Sequence, residues 1–153
     1  MEVSIIKQVT DIISSTIDSI KGVFPFGLLI DDSYILQQPY TQQSIGVLIG
    51  MTGDLSGRLI IDGDETVFTS IGEVMFGMKV EGEMLKSFAG ELGNMIAGTL
   101  STAIARHKIE MDITPPTVLV GETKIYGFEK AFCLQVIIQN IGNLTILLMI
   151  EQQ

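Results

Sequence analysis

Residues 83–107 constrain this chain more than any other stretch. Leu85, Phe88, Leu92, Met95, Ile96, Thr99, Leu100 and Ala103 recur at helical spacing, so the period predicts one long helix buried along that stripe. On the opposite side Glu91 and Asn94 stand three residues apart, roughly 60° on the helical wheel, as neighbours that point away from the core. Ser87, Gly90, Ala97, Gly98, Ser101 and Ala105 surround them, and this composition predicts a low, open surface that a partner's backbone can approach. Gly90, Gly93 and Gly98 each cost the helix about 1 kcal/mol relative to alanine. Packing of the small face within the domain would account for the glycines. It would not account for Glu91, whose carboxylate is expensive to bury unpaired. The functional reading is therefore an acid-plus-amide pair displayed on a rigid element.

The remaining segments supply what such a helix packs against. Val3, Ile6, Val9, Ile13, Ile17 and Ile20 predict a first amphipathic helix over residues 3–21, with Lys7, Gln8, Asp11, Ser14, Ser15 and Asp18 on its solvated face. Pro25 and Gly27 punctuate its exit, and residues 28–37 read as a strand turned at Asp31-Asp32-Ser33. Residues 44–51 and 57–62 form an apolar hairpin. Asp64 suits the N-cap of a short helix running to Phe76, with Val67, Ile71, Val74 and Met75 on its apolar side. Pro115 and Pro116 force extended backbone ahead of a short strand. Residues 132–139 and 144–150 form a last strand pair, apolar on both faces, which must be central or covered by helices or a second subunit. The fold class is α/β of the α+β type: one domain over residues 1–153, with two long helices covering a largely antiparallel sheet.

Composition excludes several function classes. The chain has 153 residues, 9 of them Lys or Arg and 18 Asp or Glu, giving a net charge of −9 that repels nucleic acid and anionic membrane surfaces. No apolar run reaches the roughly 18 residues of a spanning helix, and Met1-Glu2-Val3-Ser4 is no basic leader. A cytoplasmic location is expected. Cys133, the single cysteine, lies in an apolar run and reads as a core residue. Asp62-Gly63-Asp64-Glu65 lacks the glycine and distal glutamate spacing of a calcium loop. His107, the sole histidine, fits a helix C-terminus better than a general base. With no phosphate-binding glycine loop, zinc-binding helix or serine elbow, no metal or nucleotide of its own is expected. Any chemistry would draw on a partner's machinery.

Glu91-Leu92-Gly93-Asn94-Met95-Ile96-Ala97-Gly98, followed by Asp112-Ile113-Thr114-Pro115-Pro116-Thr117-Val118, resembles the CheC/CheX/FliY family. The hairpin segments Ile49-Gly50-Met51-Thr52-Gly53 and Gly57-Arg58-Leu59-Ile60 resemble it too, in the same order. The resemblance implies a protein phosphatase that hydrolyses the aspartyl phosphate of a phosphorylated CheY-like response regulator in chemotaxis or another two-component system. It implies that Glu91 pairs with the regulator's active-site lysine and that Asn94 positions the attacking water. It also implies that Mg²⁺ comes with the regulator, and that two copies assemble as a homodimer by sheet continuation. The apolar residues 144–150 would be hazardous as a free edge, which agrees with such a dimer. A single acid-x-x-amide pair places the chain among the one-pair members. Two alternatives remain: a non-catalytic module that binds a response regulator or the flagellar switch, and a structural domain whose helix face packs in a dimer.

Overall fold

The computed structural model describes residues 2–24, 27–31, 34–37, 39–128 and 130–151. The first hydrophobic period forms helix α1, Glu2–Val23. Ile12 and Ile20 are buried on its inner side, together with Ser15, Thr16 and Ser19. Ser15 is thus not on a solvated face as expected: it is 2% exposed, because α1 runs against the long helix and small hydroxyl residues let the two backbones approach. The neighbouring hydroxyls are satisfied without water, Thr16 donating to the Ile12 carbonyl at 2.7 Å and Ser19 to the Ile96 carbonyl at 3.2 Å. The side chains of Val3 and Ile6, and the turn residues Pro25, Asp32 and Ser33, lie outside the described set.

Strands β1 (Leu28–Ile30), β2 (Tyr34–Gln37) and β3 (Tyr40–Gln42) follow, then the expected hairpin of β4 (Ile45–Gly53) and β5 (Gly57–Gly63). Helix α2 is Glu65–Phe76 and helix α3 is Glu83–Ala105, with residues 106–108 turning out of α3 two residues earlier than the pattern suggests. Asp64 occupies the N-cap of α2 with extended backbone, yet its side chain makes no capping bond. Ser44 does that instead, its Oγ accepting the Glu65 N–H at 3.3 Å from the start of the neighbouring strand. Val67 and Ile71 of α2 are buried and Met75 is partly so, whereas Val74 falls at the margin of the stripe and is exposed. Strands β6 (Met111–Ile113), β7 (Thr117–Val120), β8 (Thr123–Ile125), β9 (Lys130–Ile138) and β10 (Gly142–Ile150) complete the chain.

The main sheet has the order β1-β9-β10-β5-β4-β6, with β2 also on β9 and β7 also on β4, and every pairing is antiparallel. The apolar segment 144–150 is therefore no edge: β10 lies between β9 and β5. Its alternate residues enter two cores, which explains why it is apolar on both faces. Leu144, Ile146 and Leu148 join the helix-side core with Leu59, Ile61, Leu134 and Val136. Leu147 and Met149 join Ile60, Ala131 and Cys133 on the other face, with Ile125 and Phe128 above them. The cover there is a second, two-stranded sheet, β3 with β8, which the sequence pattern does not announce.

That small sheet is fastened by polar groups. Buried Gln42 donates through Nε2 to the carbonyls of Leu119 (2.9 Å) and Gly121 (3.2 Å), and the Tyr40 hydroxyl donates to the Asp62 carboxylate. Asp62, Thr145 and Gln135 are register neighbours on the sheet, so they form a polar row beneath it. Burial raises the Asp62 carboxyl above its ordinary value, more than the Tyr40 hydrogen bond lowers it. The folded state then holds a proton that the unfolded chain has already released, so Asp62's contribution to stability falls as pH rises through that window. Asp62→Asn keeps an acceptor for Tyr40 and removes the buried charge. It should be more stable than the parent at neutral pH, and the gain should shrink as pH is lowered to about 4, near the ordinary carboxylate range. Urea melts of both proteins across that range check it, and a gain independent of pH would contradict it.

A candidate docking face on the central helix

The geometry of α3 follows from what its glycines allow. A Cβ on Gly93 would stand 2.6 Å from Val47 Cγ1 and 3.1 Å from Val47 Cβ, so α3 rests directly on β4. A Cβ on Gly90 would meet Val118 Cγ2 at 3.4 Å and Pro116 Cγ at 3.9 Å, so the segment after β6 leans on the helix flank. That segment is pinned to the sheet from both sides of Gly50, which donates its N–H to Thr114 Oγ1 (2.8 Å) and accepts the Thr114 N–H (2.9 Å). Further along, Ser101 Oγ donates to the Met111 carbonyl at 2.7 Å. Nothing in the sequence pattern marks Thr114 or Gly50 as supports. The proline pair beside them is the one signal that the segment is held stiff.

These contacts correct part of the expected surface. Gly90 and Ala97 are buried, Gly98 and Ser101 are half-buried, and Ser87 is exposed. Met95, placed on the buried stripe by its spacing, is 37% exposed, and Thr99 is exposed beside it. The physical reason is that small residues serve as packing surface here: the helix is rotated so that Gly93 meets the sheet and Gly90 the 114–118 segment, with Ala97 buried in the same core. Glu91 is exposed near the middle of the open arc, and Asn94 is half-buried at its border. Asn94 follows Gly90 by one turn, so it lies on the flank that the Pro116 segment walls.

Neither Glu91 nor Asn94 has a hydrogen-bond or ion-pair partner among the described residues. A carboxylate without an internal partner can accept an incoming ammonium, and a carboxamide can hold a water as donor and acceptor at once. His107 is far along the helix from this pair, its Nδ1 3.5 Å from Asp11 Oδ2 of α1. Among the described residues no group of three or more His, Cys, Asp or Glu could hold a metal ion, and no helix is long and apolar enough to cross a membrane.

Gly98 differs from the other two glycines, since a Cβ there would meet nothing within 4 Å. Gly98→Ala should therefore stabilise the protein by about 0.5–1 kcal/mol through helix propensity. If a partner approaches the helix at this point, the same change should weaken its binding. Denaturant midpoints and a binding titration on one variant separate the two effects.

The structure is thus an antiparallel α+β domain that displays an acid and an amide three residues apart on one helix, without hydrogen-bond or ion-pair partners among the described residues. Residues 45–134, which include α3 and both side chains, match the family described as chemotaxis phosphatase CheX. The chain belongs to the CheX family. It is 39% identical over 89 residues to a CheY-P phosphatase CheX of Thermotoga maritima, a match covering 56% of this chain and 57% of that protein. The matched stretch thus spans little more than half of that relative. Among solved structures, a chemotaxis protein CheX from Desulfovibrio desulfuricans superimposes with a TM-score of 0.78 at 15% identity, covering 95% of this chain and 99% of that one. A CheX–CheY–BeF₃–Mg²⁺ complex from Borrelia burgdorferi gives 0.77 at 18% identity, covering 94% and 97%. These two establish the fold.

Proposed function

We propose that this domain hydrolyses the aspartyl phosphate of a CheY-like response regulator, with Glu91 and Asn94 as the working pair. The observation that carries the proposal is that both side chains stand on the open arc of one helix with no hydrogen-bond or ion-pair partner among the described residues. Family membership supports it, as does the phosphatase name of the Thermotoga maritima relative.

The chemistry asks little of the docking protein. An acyl phosphate is already activated, so hydrolysis needs chiefly a water held in line with the phosphorus. Asn94 Oδ1 accepts one proton of that water and leaves an oxygen lone pair facing the phosphoryl group, without adding a charge that would repel it. Glu91 reaches the regulator's lysine and fixes the helix in place. Mg²⁺ would be held by the regulator and would neutralise charge on the phosphoryl oxygens. Ser87, Gly98 and Ser101 line the contact, and Gly90 and Ala97 act from beneath by seating the helix.

A homodimer belongs to the same proposal, although β10 is internal and cannot supply the contact. The β1–β2 border, where Leu29 and Ile35 are exposed, is the sheet edge that suits it. A cytoplasmic location follows from the regulator.

The test is phosphate release from a panel of phosphorylated response regulators of the same cell. Faster release from at least one of them is expected. Tight binding without accelerated release from any would replace the phosphatase with a switch-type binding module.

A further inference from the structure

Large apolar side chains left in solvent are unevenly distributed over this molecule. Of the ten exposed among the described residues, five fall between positions 74 and 95: Val74, Phe76, Met78, Met84 and Met95. Met84, Phe88, Glu91 and Met95 follow one another at spacings of four, three and four, so the two methionines lie on the arc that carries Glu91. Phe76, at the end of α2, joins them sideways: its ring meets Phe88 edge-on, with centroids 5.6 Å apart. Met84 is 56% exposed, Phe76 59% and Met78, in the turn just after α2, 56%, so α3, the end of α2 and the turn that follows it expose an apolar border on the Glu91 side of the pair.

We propose that this border, Phe76, Met78, Met84 and Met95, is the contact through which the phosphorylated regulator is held while Glu91 and Asn94 act on it. The inference rests on the phosphatase reading above and names the surface that gives it affinity. Net charge does not supply that affinity: this chain carries −9 and a phosphoryl group on an aspartate is anionic, which leaves the one pair that Glu91 makes with a lysine as the charge attraction of the contact. The rest of the attraction has to arise on contact, from apolar area removed from water. Methionine suits the task, because an unbranched thioether adapts its shape to the opposing surface. The border is continuous with the position of Glu91, so a regulator seated on the pair covers it in the same step.

Met84→Gln combined with Met95→Gln tests this in the full chain. Glutamine matches methionine in length and helix preference, so the melting transition should not move. With a regulator that the parent turns over, KM should rise about tenfold or more, the equivalent of about 1.4 kcal/mol, while kcat stays within about twofold. Phe76→Gln, outside α3, should raise KM in the same direction. Unchanged KM in both variants would overturn the border while leaving the phosphatase reading intact. A parent that releases phosphate from no regulator would overturn both. A change in sedimentation from dimer to monomer, with KM unaltered, would assign the border to a second copy of this chain and overturn the proposal.

Discussion

Asn94→Ala is expected to lower single-turnover phosphate release by about 10²-fold or more, the usual size of a lost positioning effect. Regulator affinity should stay close to that of the parent. Alanine removes the carboxamide without changing the charge of the face, and among the described residues Asn94 has no hydrogen bond whose loss could disturb the helix. Glu91→Ala should behave differently. Cutting one side of a desolvated charge pair typically loses about 2–5 kcal/mol of binding, so affinity should fall together with turnover. Neither change should affect folding, since alanine is the best helix former. Binding titrations and single-turnover release on both variants provide the comparison. Parent-like release by Asn94→Ala would remove the water-positioning mechanism even with the family assignment standing.

The second large effect belongs to Gly93, between the two site residues. Gly93→Val places its Cβ 2.6 Å from Val47 Cγ1, and a stiff β-branched neighbour cannot swing aside. Overpacking of this kind costs about 1–3 kcal/mol, occasionally more. The helix can relieve it only by lifting off β4, which moves Glu91 and Asn94 on either side, so turnover should fall further than the melting curve explains. Val47→Ala would lose apolar burial alone but open space for the new methyls. The double variant should therefore be more stable than the sum of the two single losses. Strict additivity in denaturant melts would show that Gly93 does not touch Val47 as described.

The long helix and the outward placement of Glu91 and Asn94 were legible because a 3.6-residue period assigns charged and apolar residues to opposite sides without reference to the rest of the chain. The flanks were not legible, because a small residue carries no sign of its own. A Cβ on Gly93 would collide with Val47 and one on Gly90 would just touch Val118, while Gly98, the same residue, faces open space. A sequence distinguishes these cases only once the opposing strand is known. Ser15 illustrates the same point on α1, where a hydroxyl that reads as solvated is buried against α3. The small sheet escaped notice because β3 and β8 have three residues each and Gln42, one of its most buried side chains, is polar. By contrast, apolarity on both faces of residues 144–150 did indicate a central strand. What remained open was whether the second cover came from this chain or another.

The position of β10 has a consequence for biosynthesis. Of the described strands, the one that joins the two halves of the main sheet is the last to leave the ribosome, and its seven register pairs with each of β5 and β9 cannot form before then. Until that moment β5 is an open border and the helix-side core lacks Leu144, Ile146 and Leu148. A nascent chain of this protein can form helices and the β4–β5 hairpin, but its sheet has to wait until residues 142–150 have left the exit tunnel. A chain cut short before residue 142 would have no middle to its sheet, and quality-control proteases would meet it as an unfolded polypeptide rather than a weakened fold.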